Sequence, residues 1–372
     1  MVWVLALHLI VLLLAMLFAI VGVRKNRRVS RLRMVPNTWY VISFLLLFFF
    51  LASRVNLGRD WNNYFDLYRD ALYIPFSFSE SFEFGFLIIL KLLRSLNADF
   101  QWFIIITSLI TLLLFYRSFR KFYYLLPYGI LIFFTQWGYP VAINTIRQAI
   151  AIFAFMCAAT YIGSNEKHAL LKYLSFIFIG CLFHYTVLLF IPVYWVRRFN
   201  LTLPQLLVVM GVFFILSFFL IAPLFNDVLA LFSKYTYSLD SYYSKTATFG
   251  LGASIVLAAR VFPLLVYPYV RKRFPRYSKY YLLYYIGLAV YYAFFKYLMI
   301  VRVTFYFQFF EMVVMSLFLY ITVHKSKLYG ICNVTFLALV FVYYLYTFRD
   351  FLADQLVSSD FSLMLMNFHY GG

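Results

Sequence analysis

The chain has 372 residues, 65% of them hydrophobic and only 12% charged, with a mean hydropathy of +0.86. A water-soluble domain is nearer half apolar and a quarter charged, so lipid must solvate most of this surface. The net charge of +19 does not imply nucleic acid: no basic segment adjoins a recognition motif, and Lys and Arg gather in the short cytoplasmic loops of membrane proteins.

The first apolar run, 3–23, meets the basic segment Arg24–Arg33 with no small-residue cleavage site between them, so it reads as an uncleaved span. Further runs follow at 38–53, 84–97, 101–116, 123–138, 145–163, 169–183, 184–196, 205–225, 253–270, 280–297, 303–323 and 328–347. Between them lie basic clusters at Arg117–Lys121, Lys167–Lys172, Arg197–Arg198, Arg271–Lys279 and Lys325–Lys327. Placing every cluster inside puts both termini, loops 55–82 and 226–252, and the tail 348–372 outside. Ten of the 13 acids then fall outside as well: Asp60, Asp66, Asp70, Glu80, Glu83, Asp227, Asp240, Asp350, Asp354 and Asp360.

One run breaks the parity. Residues 84–97 are short and carry Lys91 and Arg94, which predicts a re-entrant or interfacial helix rather than a span. The expected fold is therefore all-α: a polytopic transmembrane helical bundle of about 12 spans forming one domain over 1–347. Cys157, Cys181 and Cys332 all lie in apolar runs and imply neither a disulfide nor a metal framework.

Charged groups at membrane depth call for a partner or a task. Arg147 falls where a span begins at the outer face, within Asn144-Thr145-Ile146-Arg147-Gln148. Asn144 is expected to cap that helix, and Arg147 in its first turn would make a seat for an anion; a snorkelling interfacial Arg is the plainer alternative. Arg302, with Lys296 before it, repeats the pattern at the outer start of 303–323. Arg260 and Glu311 lie at similar depths in two spans, so they form either a structural ion pair or part of a polar cavity.

The outer loop carries Arg59, Asp60, Tyr64 and Tyr68, with Asp60, Tyr64 and Tyr68 on one helical face. A carboxylate beside aromatic rings is what sugar recognition needs. Glu83, set between rings in Phe82-Glu83-Phe84-Gly85-Phe86, is expected to have a raised pKa. His184, in Phe183-His184-Tyr185, lies between two short apolar runs and reads as a helix-end residue or a base. No nucleotide-binding loop, zinc spacing, Gly-x-Ser-x-Gly elbow or Asp-x-Asp pair occurs, which argues against a metal-dependent nucleotide-sugar glycosyltransferase.

Gly58-Arg59-Asp60 with Tyr64, Phe82-Glu83-Phe84-Gly85-Phe86, Asn144-Thr145-Ile146-Arg147-Gln148-Ala149-Ile150-Ala151, Phe183-His184-Tyr185 and Arg302-Val303-Thr304-Phe305-Tyr306 follow one another in this order. Together they resemble the EpsG/Wzy-type family of exopolysaccharide and O-antigen repeat-unit polymerases. Thr186 stands where the commoner family form has a small residue.

The resemblance implies a bacterial inner-membrane enzyme whose active site faces the periplasm or cell exterior. Its substrate would be an undecaprenyl-diphosphate-linked oligosaccharide, with the growing glycan passed from its lipid diphosphate to a new unit. Arg59, Arg147, Arg260 and Arg302, with Asn144 and Tyr64, would bind the diphosphate and substrate, and Asp60, Glu83 and His184 compete for the role of base. No metal is required where arginines take its place, and no cofactor is expected. Membrane lipid is a further partner, and there is room for a chain-length regulator protein. A polysaccharide O-acyltransferase, a flippase for the same lipid-linked unit and an O-antigen ligase stay open as alternatives.

Overall fold

The computed structural model describes residues 2–30, 34–58, 60–76, 82–136, 138–198, 201–219, 260–293, 298–325 and 362–363. Loop 226–252 and nearly all of the tail lie outside them. About 82% of the described residues are helical, and the strands among them are β1 (Arg54–Val55) and β2 (Ser362–Leu363), which pair antiparallel. The all-α expectation holds. Contacts divide the chain into two compact units, Met1–Tyr194 with Leu319–Gly372, and Trp195–Phe318.

The first unit opens with α1 (Val2–Val29) and α2 (Thr38–Ala52). Asn37 starts α2, its side-chain oxygen accepting from the amides of Trp39 and Tyr40. Helix α3 (Trp61–Arg69) leads to α4 (Phe84–Ser95) and α5 (Phe100–Ser118), the last capped by Asp99. Next come α6 (Leu126–Thr135), α7 (Gly138–Asn144), α8 (Ile146–Ala159) and α9 (Ala169–Cys181), then a 3-10 segment, Tyr185–Arg198.

Small polar groups join these helices where lipid offers no hydrogen bond. The Ser43 hydroxyl of α2 donates to Ala15 O of α1 at 2.8 Å and meets the Tyr116 hydroxyl of α5 at 2.8 Å. Helix α8 sits at the centre, buried from Gln148 to Ala159, with Phe153 against Phe115 of α5.

By length and composition, Ala6–Val29, Phe100–Ser118 and Arg302–His324 can cross a membrane. Helix α4 has 12 residues and is about 18 Å long, shorter than a hydrocarbon core about 30 Å thick, as are α6, α8 and α9.

The 3-10 segment turns back along α9. Tyr173 of α9 donates to Phe190 O at 2.5 Å and packs its ring on Tyr194, so the chain reverses near His184. His184 therefore lies at one end of this hairpin, and Lys167–Lys172 at the other. At that basic end Lys121 and Lys172 both reach Glu166, at 2.6 and 2.8 Å, and Arg117 donates to the Tyr161 hydroxyl at 3.0 Å.

The second unit holds α10 (Leu203–Phe219), α11 (Tyr267–Arg273), α12 (Ser278–Ala293), α13 (Leu298–Gln308) and the start of α14 (Glu311–Lys325). Tyr281 and Tyr285, one turn apart on α12, are fully buried, as is Tyr277 just before it.

Bonds from Lys121 and then Lys172 hold the Glu166 carboxyl down to about 2, so this cluster stabilises the fold above the unfolded value near 4.5 and loses that contribution as pH falls towards 2. Glu166 is partly exposed, so the contribution stays below about 1 kcal/mol. Chemical unfolding in detergent should show that loss between pH 4.5 and 2 in the wild type and not in Glu166→Gln.

Candidate functional site

The Glu83 side chain is 4% exposed and stands at the N-cap of α4. A carboxylate so placed needs donors, because an isolated buried charge is strongly disfavoured. It has two. Arg147, in the first turn of α8, donates from Nη1 to Oε2 at 2.6 Å, and His184 Nδ1 lies 2.8 Å from Oε1.

Three segments remote in sequence meet here because their backbones can approach closely. A Cβ on Gly85 would come within 2.7 Å of Leu182 Cβ and 2.9 Å of Leu182 O, so only glycine lets the start of α4 lie against the end of α9. The Phe86 amide then donates to Leu182 O at 3.1 Å. That bond fixes Glu83 beside His184, whose own amide donates to Gly180 O at 2.8 Å.

Phe82 and Phe86 complete the seat of Arg147. The guanidinium lies 5.3 Å from the Phe82 ring centre and 5.1 Å from that of Phe86, so the two rings flank the cation. The Tyr64 hydroxyl is also hydrogen-bonded to Arg147. Burial pushes the Tyr64 phenol up, against the opposing pull of that cation. The Arg147 and His184 side chains keep 25% and 27% exposure, so the cation and the imidazole are the open parts of a site whose carboxylate is closed.

Several sequence expectations change. Glu83 is not a raised acid: burial would raise it, but the His184 bond and then the Arg147 charge more than reverse this and hold the carboxyl below its usual range. It is thus ionised at neutral pH and fully engaged. Asn144 does not cap α8; it ends α7, and Thr145 takes the cap position with its hydroxyl turned back to Val141 O at 3.2 Å. Arg147 still falls in the first turn. Tyr64 and Tyr68 offer no open sugar platform, because α3 turns both rings inward. Tyr64 packs on Phe86 and Phe103, and Tyr68 bonds Ala98 O.

Asp60 begins α3 one turn before Tyr64, its carbonyl accepting the Tyr64 amide at 3.0 Å, and its side chain makes no helix cap. Gly58, at φ +114°, fits the loop against the end of α7, where a Cβ would lie 2.9 Å from Asn144 Oδ1. Arg59 lies outside the described residues. Arg302 is exposed and lies in the second turn of α13, where the candidate span Arg302–His324 begins. Arg260 Nε lies 3.8 Å from Glu311 Oε2, with both side chains almost wholly buried.

The sequence reading missed the ring cage around Arg147 and the buried Arg54. Arg54 is 1% exposed and donates to Leu51 O at 2.5 Å and Ser108 Oγ at 3.0 Å. The glycine between aromatics in Phe82–Phe86 was the available signal for the cage. Arg54 gave none apart from its place at the end of an apolar run.

An EpsG family model matches residues 37–359, which takes in every site residue above. No curated protein and no solved structure matches the chain.

Gly85→Val should lower the melting temperature in detergent, consistent with about 1–3 kcal/mol of overpacking. For the second unit, Arg260→Gln and Glu311→Gln should each cut protein yield, since breaking a buried pair costs about 3–5 kcal/mol. The charge swap should recover yield; failure to do so would move Arg260 from a structural to a substrate role.

Proposed function

Since the chain belongs to the EpsG family, we propose that it is a polymerase joining lipid-diphosphate-linked oligosaccharide repeat units at the outer face of a bacterial inner membrane. The observation that carries this reading is that the buried Glu83 carboxylate holds a cation on one oxygen and an imidazole on the other.

Glycosyl transfer from a lipid diphosphate needs a proton acceptor for the incoming hydroxyl and positive charge for the departing diphosphate. In this reading His184 is the acceptor. An imidazole donating its Nδ1 hydrogen to Glu83 leaves Nε2 free to take a proton, and the carboxylate both fixes ring orientation and steadies the imidazolium that forms. The acceptor hydroxyl oxygen bonds to the anomeric carbon while its proton passes to Nε2. The bond from that carbon to the phosphate oxygen breaks, and its electron pair leaves with the lipid diphosphate. Arg147 faces the charge that develops there. Direct displacement inverts the anomeric centre.

Arg147 is suited to this task by more than charge. Its planar donors match phosphate oxygens, and the two flanking rings hold it without a conformational search. Tyr64 bonds it, and Asn144 and Asp60 are further polar residues this function would draw on. Arg59, Arg260 and Arg302 are the further cations this function would draw on, and a chain-length regulator is the partner protein it would accommodate.

Arg147→Ala and His184→Ala should each abolish the surface polysaccharide ladder on gels, compared at matched protein levels, while single repeat units still reach the surface lipid. A persisting ladder in either variant would remove that residue from the mechanism. A strain lacking the gene that keeps its ladder but loses acylation would identify an acyltransferase instead, and one in which no repeat unit reaches the outer leaflet would identify a flippase.

A further inference from the structure

The carboxylate that holds Arg147 sits where an anionic substrate would draw the same charge. Arg147 Nη1 lies 2.6 Å from Glu83 Oε2, while the Phe82 and Phe86 rings cover its faces and Tyr64 takes part of its hydrogen-bonding capacity. The anion seat is therefore already partly neutralised from within the protein. Resting on the polymerase reading above, we propose that Glu83 acts as a built-in counter-ion that competes with the substrate diphosphate for Arg147, so that the seat binds the lipid diphosphate loosely enough to release it after each transfer.

The chemistry favours such a device. Donor and released product both carry a diphosphate, and an unopposed guanidinium in a poorly hydrated site would hold the product as firmly as the donor. Glu83 lowers that affinity, and it stays in place because its other oxygen is bound to His184. As a diphosphate draws on Arg147, the carboxylate's charge falls increasingly on His184, which supports the imidazole in accepting a proton. When the product departs, Glu83 regains Arg147. Glu83 is thus a positioning residue with two partners, and anion binding at one is linked to base support at the other.

The linkage predicts an outcome opposite to that of a purely structural carboxylate. Calorimetry on the purified full chain in nanodiscs, with inorganic diphosphate as the probe, should show Glu83→Gln binding about tenfold or more tighter than wild type while polymerising far more slowly. Glu83→Asp, which keeps the charge but retracts it by one methylene, should show a smaller tightening with part of the turnover retained. It also serves where Glu83→Gln folds poorly. His184→Ala, which frees Glu83 to hold Arg147 more fully, should bind diphosphate no tighter than wild type and fail to polymerise.

Weaker or unchanged diphosphate binding in both Glu83 variants would overturn the counter-ion role and leave the polymerase reading standing. Absence of diphosphate binding in the wild type and in Arg147→Ala alike would instead remove the anion seat on which both rest.

Discussion

One ionised carboxylate organises this site. Glu83 is almost completely buried, and a buried carboxylate left without donors would be disfavoured by several kcal/mol. Arg147 at the start of α8 and His184 just after α9 meet that need, and both side chains stay partly exposed. The ring cage, the Gly85–Leu182 approach and the inward turn of Tyr64 all serve to bring those three side chains together. Electrostatic need at one atom group thus dictates close packing over more than a hundred residues of sequence.

The first unit also separates its charges by end. The α9 hairpin carries His184 at its turn and Lys167–Lys172 at its foot, and α8 carries Arg147 at its start and gives way to the Glu166 cluster after its end. The basic foot is the kind of segment that stays on the cytoplasmic side. The acid, the imidazole and the guanidinium lie at the opposite end, and under the polymerase reading proposed above that end would face the compartment where lipid-linked sugars are joined.

The broad features of this fold are legible in composition and periodicity, because a bilayer leaves so few alternatives. That residues 84–97 form a helix of their own was readable too, from a short apolar run bounded by polar residues. Within the site, Glu83, Arg147 and His184 were readable as residues out of place in apolar surroundings, but their mutual contact was not, since 64 and 101 residues separate Glu83 from its partners. The direction of the Glu83 pKa was misread for the same reason. Its aromatic neighbours are visible in sequence, and its distant donors are not. Tyr64 and Tyr68 illustrate a different limit: helical spacing places them on one face without saying whether that face turns in or out, and packing against Phe86, Phe100 and Phe103 decides it. Asn144 looked like a cap because Asn favours that position, but α7 and α8 meet so closely that Thr145 takes it.

The most direct test is reconstitution of the purified chain in liposomes with a lipid-diphosphate-linked oligosaccharide as its sole substrate. The account predicts glycans that lengthen by whole repeat units, with one lipid diphosphate released for every new linkage. Single repeat units that persist unjoined, or chains that lengthen with release of lipid monophosphate, would contradict it.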